Sequence, residues 1–580
     1  MAISVEQSSP AVSHSSCIQT RSAATGRGGA VAGKMAPAVE AGAAIMAAGG
    51  NAIDAAVATA FAMGVVEPWM NGLGGGGFLV GWLAEEQRSF VIEYPMISPS
   101  GATPEMFPLA GGTDAGLFGW PRTVDNANVV GYRAIAVPGT VAGLALAVER
   151  HGTMSLARLL EPAIALAEAG IPVSWHTTLM VAKDLANLRA FPATAQVYLD
   201  ANGCPPVTIE ANHPAVIKNP DLARTLRAIA DGGAREFYEG AVARTIVDHL
   251  GEGGTPVTAA DFARYDAVEV ATTDVLFCGH TVHTVGKGTG GTSLAESLGI
   301  LEHLDLRSTG PGTPETLHKL THAFRQAFAD RFTYLADPDH CDVPLGSLVS
   351  DAYVRSRAER FVPGDVAPVI AGTREELGVS HTLHGSVADY LRDGSTTHLG
   401  AIDRWGNAVS LTQTLLSGWG SRVTVPGTGV LMNNGMMWFD PEPGRPNSVG
   451  PAKRPLTNMA PALVTRNGAI RASIGSSGGR KIMNCNAQII ANIAAHDLPL
   501  GDALAAPRID ASQRPLAVSS RIDPAIRERL ASIGHTIEAI DESLLTSGFA
   551  SPAAIARYDD GTLEAAADAW YYPATAVALP

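Results

Sequence analysis

The 580-residue chain predicts an α+β protein, or a layered sandwich of helices and strands, rather than a simple βαβ repeat. Two observations carry this. Helical periodicity is concentrated between about residues 138 and 251 and again from 293 to 360, while strand-like runs dominate after Thr396 and a helical pattern returns after Gly479. Hydrophobic residues make up 46% of the chain and charged residues only 17%, against roughly 25% charged in an average domain, so a large core is expected and disorder is not. No internal repeat or long flexible linker divides the chain, and one large domain is expected.

Taken in order, residues 1 to 28 are Ser-rich and polar and read as a mobile arm. From Lys34 to Val66 an Ala-rich pattern predicts two helices split at Gly49-Gly50-Asn51, where glycine ends the first and Asn or Asp can cap the second. The run NGLGGGGF precedes a strand predicted over Phe78 to Leu83. It is either a phosphate cradle or, the favoured reading, a tight turn beneath close-packed backbone. Helices are expected in TVAGLALAVERHG, SLARLLEPAIALAEAG and DLARTLRAIADGG, and strands in VEVATTDVLF and HTVHTV. The stretch from Ala371 to Asp393 is the best candidate for an exposed connection.

Charge and cysteine content narrow the function. With 41 Lys+Arg against 56 Asp+Glu the formal charge is −15, and no basic cluster offers a nucleic acid its footprint. The five cysteines are an odd number, widely spread and without a C-x-x-C pair, which supports neither a disulfide framework nor a zinc site. The first 30 residues carry no apolar segment of the secretory kind, so a cytoplasmic location is the default expectation. The most apolar stretch, Ala55 to Val66, is twelve residues long, short of the roughly 20 that span a bilayer, and no membrane partner is expected.

Three constellations could carry chemistry. Gly286-Lys287-Gly288-Thr289-Gly290-Gly291 matches G-x-G-x-x-G between a strand-like and a helical segment, with Asp305 beyond it. The segment ILEHLDL reads as a helix end rather than the second strand a dinucleotide site needs, so a Gly-rich helix entry is favoured over a nucleotide site. The second is STTHLGAIDRWGNAVSLTQTL, residues 395 to 415. It predicts a hairpin with a five-residue loop from Asp403 to Asn407, which puts Ile402 opposite Ala408 and, without a bulge, Thr396 opposite Thr414. That pair is either a structural Thr–Thr contact or a reactive site. A threonine at a newly made N-terminus has its own base, since an α-amine of pKa near 8 can take the hydroxyl proton. His398 and His381 are alternative bases, though single histidines near a strand are more often structural. The third is the turn Gly475-Ser476-Ser477-Gly478-Gly479 between a hairpin strand and the helical KIMNCNAQIIANIAAH. Its free N–H groups could hold an oxyanion, or its glycines could serve the turn alone.

These residues resemble the γ-glutamyltranspeptidase family of N-terminal-nucleophile hydrolases. The matching segments run from about residue 29 onward: GGNAIDAAVATAFAMGVVEP with GLGGGGF, VPGTVAGLALAVERHGTMSL, TTHLGAIDRWGNAVSLTQTL, GVLMNNGMMWFDPEPGRPN, and GSSGGRKI with APRID. The resemblance implies a four-layer αββα sandwich, made as one precursor that cleaves itself between Ser395 and Thr396 into portions 29–395 and 396–580, which stay together as a heterodimer. It implies Thr396 as nucleophile, Thr414 orienting it, and the N–H groups of Gly478 and Gly479 as oxyanion hole, with no metal and no cofactor.

The chain departs from the family at the substrate. Where members that bind glutamyl groups have Asn-Gln-Met-Asp-Asp, it has Asn434-Gly435-Met436-Met437-Trp438, so the acid that pairs with a substrate α-ammonium is Trp438. The Arg expected near Glu93 to Pro95 is absent, the family's Ser-Ser pair is Thr457-Asn458, and the lid loop is short. Removing one partner of a buried ion pair costs about 3–5 kcal/mol, so a free α-amino-acid head group should bind poorly. The expectation is a self-processing amidohydrolase or acyltransferase that cleaves a small glutaryl-type or dicarboxylic mono-amide and passes the acyl group to water or an amine. The substrate side is expected to involve Asn434, Trp438, Thr457 and Asn458. A genuine γ-glutamyltransferase or glutathione hydrolase, and an uncleaved nucleotide-binding protein, are the alternatives.

Overall fold

The computed structural model describes residues 21–113, 119–210, 212–379, 395–545 and 548–580. Cys17, His381, most of the connection from Ala371 to Asp393 and the first twenty residues of the polar arm lie outside that set.

The centre is the hairpin expected from the sequence, Ser395–Asp403 and Ala408–Leu416, and every residue of both strands is buried. Its loop is tied by the Asp403 carboxylate, which accepts from the N–H groups of Trp405 and Asn407, both at 3.0 Å, and of Ala52 at 3.0 Å. Around the hairpin a seven-stranded sheet runs in the order Thr575–Leu579, Gly29–Gly33, Ser395–Asp403, Ala408–Leu416, Gly76–Leu83, Arg88–Tyr94, Val268–Val270. A second seven-stranded sheet runs Ala24–Gly26, Leu563–Ala567, Ser551–Arg557, Ala469–Ser477, Ala462–Arg466, His280–Thr284, Thr273–Phe277. All neighbours in both are antiparallel.

Buried faces on both sides explain why these strands lack a clean polar alternation. The outer face of the first sheet packs on helices Ala36–Ala47 and Ala52–Val66. The outer face of the second packs on Gly290–Glu302, Pro314–Tyr334 and Lys481–Ala494. The result is the four-layer αββα sandwich. The Ala52–Val66 helix starts at Asn51 with a full capping box: the Asn51 side chain accepts from Asp54 N–H at 2.9 Å, and the Asp54 carboxylate accepts from Asn51 N–H at 3.0 Å.

The sheets approach closely where small residues face large ones. A Cβ on Gly400 would lie 2.7 Å from Ser473 Oγ, and one on Gly475 would lie 2.2 Å from the His398 ring. Polar rungs lock the alignment: Ser410 Oγ donates to Ile474 O at 3.0 Å and Ser473 Oγ to Val409 O at 2.8 Å.

Two expectations change. Ala24–Gly26, read as part of the arm, forms an edge strand on Leu563–Ala567. Thr396 is not paired with Thr414: the predicted register holds from Ile402 opposite Ala408 to Thr397 opposite Gln413, then shifts so that Ser395 faces Leu416. Both sheets combine strands from before and after Ser395, and both hydrophobic clusters draw on each portion.

Candidate active site

The register shift sets the geometry at Thr396. Between Thr397 opposite Gln413 and Ser395 opposite Leu416, two residues, Thr414 and Leu415, stand against Thr396 alone, so the extra residue of this bulge is on the Ala408–Leu416 strand. Here the Thr396 Oγ1 donates back to the carbonyl oxygen of Ser395 at 2.8 Å. Thr414 Oγ1 donates to the same oxygen at 2.5 Å and accepts from Leu416 N–H at 2.8 Å. The second bond occupies a lone pair of the Thr414 hydroxyl and leaves its proton for the carbonyl. One peptide carbonyl therefore receives two hydroxyl donors in a site where Thr396 is only 6% exposed and Thr414 fully buried.

The residue that closes the Ala52–Val66 helix is an acid, Glu67, and the loop it begins embraces this peptide. Trp69 O accepts from Ser395 Oγ at 2.8 Å, and Met70 O accepts from Leu415 N–H at 2.9 Å. Glu67 Oε2 accepts from Thr397 Oγ1 at 2.5 Å and its Oε1 from the Tyr571 hydroxyl at 2.7 Å. Burial pushes the Glu67 carboxyl up to about 7, opposed by those two hydroxyl bonds and by Lys34. Burial also pulls the Lys34 ammonium down to about 8, with Asp568 and Glu67 opposing. Neither Glu67 nor Lys34 stands out in the sequence; the one signal is an acid directly after the apolar stretch Ala55 to Val66.

The Gly-rich turn lies alongside. Gly400 faces Ser473 and His398 faces Gly475, so the strand that carries Thr396 packs on the strand that runs into Gly478 and Gly479. Gly478 has φ of +141°, and a Cβ there would sit 2.8 Å from Ala550 Cα; Gly479 has φ of +63°. His398 is no free base. It is fully buried, shares a 2.9 Å hydrogen bond with Thr412 Oγ1, and burial pulls it down to about 3.

The substrate-side residues divide into two groups. The Asn434 amide is consumed by the protein, donating to Val129 O at 2.9 Å and Ser417 Oγ at 2.7 Å and accepting from Ser417 N–H at 3.1 Å. Trp438 Nε1, Thr457 Oγ1 and Asn458 Nδ2 are buried with no partner among the described residues. Thr457 and Asn458 are held from behind by fully buried Arg331, which donates to Thr457 O at 2.5 Å and Asn458 Oδ1 at 2.9 Å. Burial lowers that guanidinium to about 9.

Thr457 N–H also donates to Gly288 O at 2.9 Å, which joins the pair to a shallow cleft lined by Phe78, Glu93, Pro95, Lys287 and Arg454 among others. There Lys287 Nζ donates to buried Glu93 at 2.5 Å. The glycines around Lys287 have a packing cause: Cβ atoms on Gly288, Gly290 and Gly291 would lie 2.7, 2.4 and 2.1 Å from the carbonyl oxygens of Ala336, Asn458 and Val285. The NGLGGGGF run behaves alike, Gly75 and Gly77 lying against the carbonyls of Thr414 and Thr412.

Comparison with known proteins gives the family. The family model described as gamma-glutamyltranspeptidase matches residues 38–578. The chain is 34% identical over 561 residues to Acylase ACY 1 proenzyme of Pseudomonas sp. (strain V22), covering 96% of this chain and 94% of that protein. It is 30% identical over 557 residues to the glutathione hydrolase proenzyme of Escherichia coli (strain K12), covering 93% and 90%. The crystal structure of cephalosporin acylase from Bacillus halodurans superposes with a TM-score of 0.82 at 26% identity over the whole of both chains. The chain thus belongs to the γ-glutamyltranspeptidase family and is an acyl amidohydrolase or acyltransferase of the N-terminal-nucleophile type.

Proposed function

We propose that the chain is a precursor that cleaves itself between Ser395 and Thr396, and that the mature two-chain enzyme uses Thr396 to take an acyl group lacking a free α-amino-acid head from an amide. The observation that carries this reading is the convergence of the Thr396 and Thr414 hydroxyls on the Ser395 carbonyl oxygen, at 2.8 and 2.5 Å. In the precursor, Thr396 Oγ adds to the Ser395 carbonyl carbon, the C–N bond breaks, and the nitrogen takes the hydroxyl proton, leaving an ester that water hydrolyses. The α-amine so freed is the base for later turnovers. A substrate carbonyl then meets Thr396 Oγ, its oxyanion is held by the N–H groups of Gly478 and Gly479, and water or an amine releases the acyl group.

The character of the acyl group follows from donors without acceptors. Trp438 Nε1, Thr457 Oγ1 and Asn458 Nδ2 ask for oxygen atoms, as a terminal carboxylate or carboxamide would supply, and Trp438 presents no acid to an ammonium. Lys287 lines the adjoining cleft, its ammonium paired with Glu93. A glutaryl or similar dicarboxylic mono-amide meets these demands, in keeping with relatives named as acylases. Asn434 serves by bracing Ser417 and Val129. The test is the pair glutaryl anilide and γ-glutamyl anilide: the first is expected to be turned over with the higher kcat/KM, and a clear preference for γ-glutamyl anilide returns the chain to the glutathione hydrolase side of its family.

A further inference from the structure

The Glu67-to-Met70 segment touches the residue on each side of Thr396. Glu67 binds the Thr397 hydroxyl at 2.5 Å, and Trp69 O binds the Ser395 hydroxyl at 2.8 Å. Thr397 is the last residue in regular register before the shift, so what fixes its side chain fixes one end of the bulge. Glu67 is itself held from the far side by Tyr571, whose hydroxyl accepts from Trp69 Nε1 at 3.2 Å. Lys34 Nζ lies 4.4 Å from the centre of the Tyr571 ring and donates to Ser551 O at 2.8 Å. A fully buried carboxyl is costly unless its hydrogen bonds serve it, and here both oxygens are spent on hydroxyls rather than on an ion pair.

We propose that Glu67 is a positioning residue for self-cleavage, acting through the Thr397 hydroxyl to lock the backbone bulge that presses the Thr396 hydroxyl onto the Ser395 carbonyl. This rests on the reading of Thr396 as nucleophile. Glu67 exchanges no atom with the reacting groups. The carboxylate accepts from both hydroxyls at once, and protonation makes one of its oxygens a donor and a weaker acceptor. The groups facing it are Thr397 on the hairpin strand, Tyr571 near the C-terminus and Lys34 after the Gly29–Gly33 strand. Asp568, Cys485 and Arg21 surround Lys34, and His176 packs on Tyr571 with ring centres 4.9 Å apart. Since burial holds Glu67 at about 7, cleavage should quicken as the pH rises through that value.

The full-length chain made by cell-free translation tests this, as wild type and as Glu67→Gln, Glu67→Asp, Thr397→Val, Thr397→Ser and Thr396→Ala, from pH 5.5 to 8.5. The readout is the first-order appearance of the fragment whose N-terminal residue is Thr396. Glu67→Gln and Thr397→Val are expected to slow it about tenfold or more, a loss typical of a hydrogen bond to a charged group. Thr397→Ser and Glu67→Asp should keep most of the rate, and the inflection near pH 7 should vanish in Glu67→Gln. Cleavage within twofold of wild type in both Glu67→Gln and Thr397→Val, with the inflection intact, overturns the role of Glu67 alone. If Glu67→Gln does not fold, Thr397→Val against Thr397→Ser decides. A wild-type chain that never exposes Thr396 overturns the underlying reading as well.

Discussion

Replacing Thr414 by valine exchanges a hydroxyl for a methyl of almost the same size at a fully buried position, so packing is kept and hydrogen bonding is not. Two bonds go: the donor to Ser395 O at 2.5 Å and the acceptor for Leu416 N–H at 2.8 Å. The first polarises the carbonyl that must become an oxyanion during self-cleavage. Removing one preorganised donor from such a site costs about 10²–10³ in rate, or about 2.7–4 kcal/mol of transition-state stabilisation. The second loss strands a buried N–H, at about 1–3 kcal/mol of stability. Thr414→Val is therefore expected to fold with a lowered denaturation midpoint and to process at about one hundredth of the wild-type rate or less. Thr414→Ser keeps both bonds and should recover most of that rate. Quantifying the precursor over time on denaturing gels, with denaturant titration alongside, separates the two effects. Wild-type processing in Thr414→Val, or equal slowing in Thr414→Ser, would refute the assignment of that hydroxyl to the carbonyl.

Other perturbations reach different parts of the molecule. Thr396→Ala should remain one chain of 60.0 kDa by mass and hydrolyse no amide; a cleaved or active product contradicts the nucleophile assignment. Gly478→Ala must tolerate φ of +141° and a Cβ 2.8 Å from Ala550 Cα, so acyl transfer should be lost even where the chain still folds, as read by circular dichroism and anilide hydrolysis. Lys287→Met is expected to raise KM for a glutaryl anilide more than it lowers kcat, with some loss of stability because Glu93 stays buried without its partner. Stability should also fall in mild acid. His398, His176 and His535 are held at about 3, 4 and 4, so below the ordinary 6.5 the unfolded chain gains protons that the folded chain refuses. Each contributes up to about 1.4 kcal/mol per pH unit between its two values, while Glu67, raised from 4.5 to about 7, works the other way in that range. In the uncleavable Thr396→Ala chain the urea midpoint should be lower at pH 5 than at pH 7, and the reverse order contradicts the balance.

What could be read from the sequence was local. The two-residue side-chain period and a five-residue loop sufficed to place Ile402 opposite Ala408, and Asn51 ahead of an Ala-rich run marked the start of a helix. At the second hairpin Asn467 and Gly468, both at positive φ, are the residue types such a turn takes, although the register shifts between Val464 and Thr465. The shift between Ser395 and Thr397 could not be read that way, because no special residue type marks it. It arises where the strand is gripped by the Glu67-to-Met70 segment, more than 300 positions away. The same limit hid Lys287 on Glu93, 194 positions apart, and Tyr571 on Glu67, 504 apart.

That division bears on how such an enzyme can change substrate without losing its chemistry. The parts proposed to act on a carbonyl, Thr396, Thr414 and the Gly478–Gly479 turn, lie at the ends of central strands whose spacing is fixed by polar rungs between the sheets. The parts proposed to meet the rest of the acyl group lie outside those strands: Trp438 ends the short helical turn Gly435–Trp438, Lys287 lines the cleft, and Arg331 ties Thr457 and Asn458 to the Pro314–Tyr334 helix. An exchange such as acid to Trp at 438 alters charge and shape in the pocket and leaves the strand register untouched. Selectivity measured across glutaryl, adipyl and γ-glutamyl anilides should accordingly move with Trp438→Asp, while the rate of self-cleavage, which needs no substrate, stays within about threefold of wild type, since the costs of sites that share no partner add independently. If both move together, pocket and catalytic frame are coupled, and the loops cannot be treated as free to vary.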